Sequence, residues 1–245
     1  MNSYLKIGDS LPAGLNYLNL NLLAIPVAIQ KRGALLSAFN FTEDDTEDKA
    51  GELATIIGTP VFQEKGVKLG KSNYIDTGVT DRTNFTMIVV LKPIIDIFQF
   101  NFAISNYTSA GFTGLGRGVG FTVSQNVVFY PHPETGVLTK IEFNNNIEKN
   151  RWVVLALSRN NGSFSYATRT KGASLAGTSA CTTEVHNFTN IGIGSTANEH
   201  GLGNQEDHSI FAYAAVHNLS LSETDLKQYV DSLALELNQT YSFNL

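Results

Sequence analysis

The sequence predicts an all-β protein, a two-sheet antiparallel jelly-roll sandwich that ends in one short C-terminal helix. Short segments between residues 73 and 216 alternate apolar and polar side chains with a period of two, as half-buried strands require. Turn-forming sequences such as TDRTN, NNNIEKN and NNG separate these segments at short intervals. Because no helical segment lies between them, the pattern disfavours βαβ units and favours two packed antiparallel sheets.

The predicted strands are of two kinds. TMIVVL (86–91) and WVVLAL (152–157) are apolar on both faces, which predicts central strands covered on each side, with the single tryptophan, Trp152, in the core. The sequence IFQFNFAIS (97–105) alternates and is predicted to place on one face Phe98, Phe100, Phe102 and Ile104. NNG (160–162) predicts a hairpin turn. The other predicted strands cover residues 73–79, 85–92, 118–124, 126–130, 136–143, 151–159, 162–169, 190–194 and 209–216.

One helix is predicted near the C-terminal end, from about Glu223 to Leu237. Ser222 is suited to the N-cap, because its hydroxyl can accept a hydrogen bond from the amide of Asp225, whose carboxylate can reach back. A stripe of apolar residues follows at helical spacing: Leu226, Tyr229, Val230, Leu233 and Leu237. The helix is therefore expected to bury one face.

The first fifty residues differ from the rest of the sequence. They contain an apolar run, LPAGLNYLNLNLLAIPVAI (11–29), and end in the acidic run NFTEDDTEDKAGE (40–52). An acidic run without apolar periodicity is typical of a solvated linker, although its carboxylates could also gather a cation. We therefore predict an N-terminal extension over residues 1–50, used for oligomerisation or attachment, before a domain over residues 51–245.

Charge and cysteine content narrow the classes of partner. The net charge is −5 with only 17 Lys and Arg residues, so the sequence lacks the clustered cations that bind nucleic acid or an anionic membrane surface. The apolar run near the N-terminus is broken by Asn19, Asn21 and Pro26 and is too short to span a bilayer, so no membrane insertion is expected. Cys181 is the only cysteine, so no disulfide can form within the chain.

Four segments resemble, in their order, the laminin-G-like, concanavalin A-like lectin and glucanase domains. They are GVKLGKSNYIDTGVTDRTNFTMIVVLKP (66–93), NRWVVLALSRNNGSFSYATRTKG (150–172), NIGIGS (190–195) and AVHNLSLSETDLKQYV (215–230). The resemblance covers roughly residues 55–240 and implies a terminal helix that caps an open end of the sandwich. ATIIGTPVFQEKGVKLGKSNYIDTGV (54–79) is similar to the opening segment of lectin-like proteins from bacteriophage and prophage tail loci.

Two loops carry candidate ligand-binding residues next to turn-forming sequence. FYPHPETG (129–136) brings together Tyr130, His132 and Glu134, and aromatic faces with a nearby carboxylate suit a saccharide. A rigid loop with inward-packed aromatics is the alternative. Arg117 lies in the glycine-rich run GFTGLGRGVG (111–120), which is not a phosphate loop but could still present Arg117 to a ligand.

A third candidate is the polar loop ANEHGLGNQEDHS (197–209). Its binding candidates are Asn198, Glu199, His200 and Asp207. Oxygen ligands in a loop are what Ca²⁺ requires, and lectins of this fold often use a metal to order their sugar-binding loops. The spacing fits neither an EF-hand nor a zinc site, so a solvated loop without a cofactor is the alternative.

The resemblance implies a tail fibre or tail-associated lectin that is non-catalytic and binds bacterial surface polysaccharide. Such a protein would be made in the host cytoplasm, reside in the virion tail, contact other tail proteins and assemble as a homo-oligomer, commonly a trimer. The E-x-D-x-x-E pattern of retaining glucanases, which sets two carboxylates about 5 Å apart, is absent. The alternatives are a polysaccharide depolymerase using Glu134, Glu199 or Asp207, and a structural virion protein without a sugar site.

Overall fold

A computed structural model gives the fold. It describes residues 25–30, 34–51, 53–70, 72–80, 82–94, 101–106, 118–121, 127–130, 141–143, 147–160, 162–180, 190–195 and 209–245. For Asn101 and residues 118–121, 127–130 and 141–143, only the backbone is described.

The described residues form strands, two α-helices and one 3₁₀ turn, Phe41–Glu43. The helices are α1 (Val27–Gln30) and α2 (Glu223–Tyr241). The strands are β1 (Leu35–Asn40), β2 (Thr55–Ile57), β3 (Val61–Gln63), β4 (Gly66–Leu69), β5 (Tyr74–Thr80), β6 (Phe85–Pro93), β7 (Asn101–Ser105), β8 (Gly118–Phe121), β9 (Val127–Tyr130), β10 (Ile141–Phe143), β11 (Val153–Asn160), β12 (Ser163–Thr170), β13 (Ala173–Ala180), β14 (Asn190–Ile193) and β15 (Ser209–His217).

These strands form two antiparallel sheets, which confirms the predicted jelly-roll sandwich. One sheet has the order β13-β12-β11-β6-β15-β4-β3, and the other has the order β10-β9-β8-β7-β14-β5-β2. Strand β15 pairs with β6 along one edge, while its other edge is shared end to end by β4, at residues 209–211, and β1, at residues 213–217. The first sheet therefore has eight strands, with β1 and β4 lying one after the other along the same edge of β15.

The eight-stranded sheet is buried on both faces. On β6, Met87 and Val89 join the core between the two sheets, whereas Ile88 and Val90 join a second core beneath α2. Strand β11 alternates in the same way, which explains why TMIVVL and WVVLAL are apolar throughout. Trp152 belongs to the second core, where its ring meets Phe243 edge to face at a centroid distance of 4.6 Å, as predicted for a core residue.

Helix α2 begins as predicted and is longer than predicted. The Ser222 hydroxyl accepts from the Asp225 amide at 3.1 Å and donates to the Asp225 carboxylate at 2.7 Å. All five residues of the predicted stripe are buried. The helix does not cap an open end of the sandwich: it lies across the face of the eight-stranded sheet, over β11, β12 and β13. Small residues beneath it, such as Ala156 and Ala167, allow the close approach.

The residues just before position 51 lie inside the sandwich, not in an extension. Strand β1 pairs with β15 from Leu35 to Asn40, and Phe39 and Phe41 are fully buried in the core between the sheets. The Asp48 carboxylate holds the acidic segment to β1, because it accepts hydrogen bonds from the Ser37 hydroxyl and the Ala38 amide at 2.6 and 2.8 Å. The boundary expected at residue 50 is therefore too late, since the acidic run that suggested a linker is partly a structural clamp.

A β-bulge changes the facing predicted for one strand. The predicted strand 97–105 is described only at β7, where Phe102 pairs with Gly120 and Ile104 with Val119. Since Gly120 and Val119 are consecutive, Phe102 and Ile104 lie on opposite faces and not on one. The bulge inserts the extra residue, and Ala103 and Ile104 enter the core between the sheets.

Strands β2, β3, β4 and β13 were not predicted, because each is short or rich in small residues.

The described part of the chain contains no helix with the length and apolarity needed to cross a membrane.

Candidate functional site

A cleft of about 310 Å³ opens at the edge of the eight-stranded sheet, lined by Thr42, Asp44, Phe62, Gln63, Glu64 and Lys65. It lies where β1 ends and β4 begins, so that the 3₁₀ turn after β1 faces the hairpin between β3 and β4. Its size is at the lower end of the range for small-molecule sites, roughly 300–1,000 Å³.

The first wall of the cleft is the 3₁₀ turn and the residue after it. The Asn40 side chain caps the turn by accepting hydrogen bonds from the Thr42 amide, at 3.0 Å, and the Thr42 hydroxyl, at 2.6 Å. Asp44 ends the turn with a φ of 54°, a left-handed conformation that aspartate and asparagine adopt more readily than most residues. The chain reverses there, and the exposed Asp44 side chain lines the cleft.

The second wall is the hairpin, whose turn residues are Glu64 and Lys65. Lys65 has a φ of 63°, and the register pairs Gln63 with Gly66. Gly66 lies so close to β15 that a β-carbon there would be 2.3 Å from the carbonyl oxygen of Phe211. A glycine is therefore needed to seat the hairpin against β15.

The Lys65 side chain links the hairpin to the end of α2. Its ammonium donates to the carbonyl oxygens of Tyr241, at 2.9 Å, and Ser242, at 3.2 Å, and lies 5.5 Å from the centre of the Phe243 ring. The last turn of α2 has no basic residue of its own, so Lys65 supplies the cation that the carboxyl end of a helix favours. The wall of the cleft and the end of α2 are thereby joined.

Beneath the first wall lies the phenol of Tyr213, which is fully buried. Its oxygen is 3.3 Å from the Thr42 hydroxyl. Burial raises the pKa of Tyr213 far above its usual value of 10.0, so the group remains a neutral phenol under ordinary conditions.

Together the walls present hydrogen-bonding groups beside apolar surface. The carboxylates of Asp44 and Glu64 can accept hydrogen bonds from hydroxyl or ammonium groups, and the Gln63 amide can donate and accept. Phe62 packs partly against the sandwich core and leaves part of its ring toward the cleft. Such a surface suits a small polar ligand that also has apolar C–H faces.

Most of the site residues proposed from the sequence fall outside the described residues. These are Arg117, His132, Glu134, Asn198, Glu199, His200 and Asp207. Tyr130 is the last residue of β9, a strand for which only the backbone is described. The proposed Ca²⁺ loop over residues 197–209 also falls outside, apart from Ser209, and within the described residues no three His, Cys, Asp or Glu side chains cluster as a metal site would require.

In the sequence, Asp44 stands within the acidic run, and the other residues of the cleft were not predicted as site residues. A detectable signal was present in VFQEKGVKL (61–69), where two short alternating segments flank a Glu-Lys-Gly turn typical of a hairpin. This local pattern could not show that the hairpin faces a turn that lies twenty residues earlier in the chain.

Comparison with known proteins supports the fold. No protein-family model and no curated protein matches the sequence. Among solved structures, a Trypanosoma rangeli sialidase in complex with sialic acid has a TM-score of 0.58 at 11% identity, over 81% of this chain and 33% of that one. The binding domain of botulinum neurotoxin serotype D/C has a TM-score of 0.55 at 15% identity, over 82% of this chain and 52% of that one.

A third similar structure is domain 4 of AbnA, a GH43 extracellular arabinanase from Geobacillus stearothermophilus, in complex with arabinotriose. Its TM-score is 0.55 at 14% identity, over 80% of this chain and 98% of that domain. The chain thus spans a third of the sialidase and half of the toxin domain, but nearly all of the arabinanase domain. At these identities the likeness shows the shared β-sandwich fold.

Proposed function

We propose that this protein is a non-catalytic carbohydrate-binding domain of a bacteriophage tail fibre or tail-associated protein, which recognises bacterial surface polysaccharide. The cleft between the 3₁₀ turn and the β3–β4 hairpin is the observation that carries the proposal. Its carboxylates and the Gln63 amide can bond to sugar hydroxyls, while the ring of Phe62 offers a surface for sugar C–H groups.

Similar structures support a saccharide ligand. One is a complex with arabinotriose and another a complex with sialic acid, and a third is of botulinum neurotoxin type C, whose cell entry depends on interaction with two ganglioside molecules. A shallow cleft of this size would bind each sugar weakly, so several copies in one virion, such as the trimer typical of tail fibres, would supply avidity. The link to phage tails rests on the sequence similarity of residues 54–79.

The non-catalytic part of the proposal rests on the sequence, which lacks the paired-carboxylate pattern of glucanases with this fold. A polysaccharide depolymerase and a structural virion protein are the rivals. Each makes a different prediction for the same experiment, because the first releases new sugar ends and the second does not bind.

The experiment measures binding of the purified protein to host cells and to extracted surface polysaccharide, with and without EDTA, while released reducing or unsaturated ends are assayed. Gln63→Ala and Phe62→Leu test the cleft, because the first removes an amide and the second replaces the aromatic ring with an apolar side chain. Each should weaken binding about five- to tenfold, the usual size for one hydrogen bond or one aromatic contact.

Gln228→Ala is the matched control, since this glutamine is exposed on α2, thirteen residues before its end. It should bind as the parent protein does. Saturable binding that both cleft variants weaken, without cleavage, supports the proposal. Release of sugar ends would favour the depolymerase, and absence of binding across a broad panel of hosts would favour the structural protein.

A further inference from the structure

Acidic side chains outnumber basic ones among the described residues that line the cleft. Two carboxylates, those of Asp44 and Glu64, line it, and both residues are exposed. Glu43 precedes Asp44 in the chain, is also exposed, and acts electrostatically on the Tyr213 phenol beneath the first wall. The first wall therefore carries two consecutive acidic side chains, Glu43 and Asp44, at the end of the turn.

Two lysines near the cleft are bonded to groups of the protein. Among the described residues that line it, Lys65 is the one cation, and its ammonium is bonded to the Tyr241 and Ser242 carbonyl oxygens. Lys49, in the loop after the first wall, is buried and bonded to the carboxylates of Asp45 and Glu47. The Lys65 ammonium is thus held by carbonyl oxygens at the end of α2, and the Lys49 ammonium is held by carboxylates of its own loop.

From this arrangement we infer that the cleft binds neutral sugars or sugars bearing an ammonium group and discriminates against sialic and uronic acids. This rests on the proposed function and specifies its substrate class. A ligand carboxylate in the cleft would lie beside two like charges, and the described lining residues include no arginine and one lysine, whose ammonium is held by the Tyr241 and Ser242 carbonyl oxygens. An ammonium group would instead gain two acceptors.

The test uses one host polysaccharide that contains uronic acids and the same polymer after chemical reduction of its carboxylates to hydroxymethyl groups. The two differ in charge but not in backbone or linkage. A third probe, an N-acetylated polymer compared with its de-N-acetylated form, reverses the sign of the added charge. The reduced polymer should bind at least tenfold more tightly than the acidic one at low salt, and the difference should shrink in 1 M salt, where charges are screened over about 3 Å.

The double substitution Asp44→Asn and Glu64→Gln tests the cause. Each replacement keeps an acceptor oxygen, and asparagine tolerates the left-handed backbone at position 44. The ratio of acidic to reduced-polymer affinity should rise about tenfold in this variant. Glu223→Gln is the charge control, because Glu223 begins α2 and lies about 27 Å along the helix from the end held by Lys65. It should leave the ratio unchanged.

The outcomes separate the two proposals. If the reduced polymer binds better and the double variant removes the preference, both stand. If the acidic polymer binds as well or better, and Gln63→Ala still weakens it, the cleft is a sugar site but the inference about charge is wrong. If no probe binds in either form, the proposed function fails, and the inference fails with it.

Discussion

Replacing Asp48 by asparagine should destabilise the protein by about 2 kcal/mol. One Asp48 oxygen accepts from the amides of Ala38, Ala50 and Gly51, at 2.8, 3.0 and 2.9 Å, and the other accepts from the Ser37 hydroxyl at 2.6 Å. Asparagine keeps the oxygen that serves the three amides, and its NH₂ group can donate to Ser37 in place of the second oxygen. The substitution therefore removes mainly the charge.

The magnitude follows from the number of bonds. Charge-assisted hydrogen bonds are about twice as strong as neutral ones, and a neutral bond contributes about 1 kcal/mol net. Losing the assistance from four bonds would cost up to about 4 kcal/mol if all were sealed from water. Asp48 is half-buried, so water can replace part of the loss, which leaves about 2 kcal/mol. Asp48→Ala, which leaves all four donors without this acceptor, should cost more, about 3 kcal/mol.

The assay is equilibrium unfolding in urea, followed by the fluorescence of Trp152, the only tryptophan, and by circular dichroism. Glu47→Gln is the matched control: it removes the same charge one residue away, from a side chain that is 50% exposed and pairs with Lys49. It should cost less than about 0.5 kcal/mol. Equal stability of Asp48→Asn and Glu47→Gln would refute the clamp between the acidic segment and β1.

Three further predictions concern the hairpin and α2. Gly66→Ala should lower the free energy of unfolding in urea by more than about 2 kcal/mol, because the added methyl group would meet a carbonyl of β15. The control Gly172→Ala, at a φ of 77° with no atom within 4 Å, should cost only about 1 kcal/mol. Equal losses would contradict the close approach at Gly66. Lys65→Met should cost about 1 kcal/mol through the lost helix-end contacts and Lys171→Met, in an exposed turn, close to nothing, as compared by thermal unfolding. Burial acts to raise the pKa of Asp231, but hydrogen bonds from a lysine and a serine and the charge of a nearby arginine outweigh burial and hold the pKa below 3.8. The free energy of unfolding, measured in urea, should therefore fall as the pH drops from about 3.8 through the folded pKa. Asp231→Asn should flatten this part of the stability profile.

The strand pattern and the helix cap were predictable because both are local. Alternation over two residues reports which faces of a strand are covered, and Ser222 with Asp225 satisfies backbone groups of the same segment. The facing of Phe102 was not predictable, since a single inserted residue shifts the alternation without changing composition. Strand β1 was missed because its membership of the sheet depends on pairing with β15, more than 170 residues later.

By itself, the sequence determined the class of fold, the central strands and the buried stripe of the helix, because these depend on periodicity within short segments. Only the tertiary structure decided what covers that stripe, since an amphipathic helix specifies that one face is buried but not against what. It also decided the cleft, whose walls come from residues 42–44 and 62–65. They meet because β1 and β4 share one edge of β15, and a pairing between distant strands leaves no mark in the local sequence.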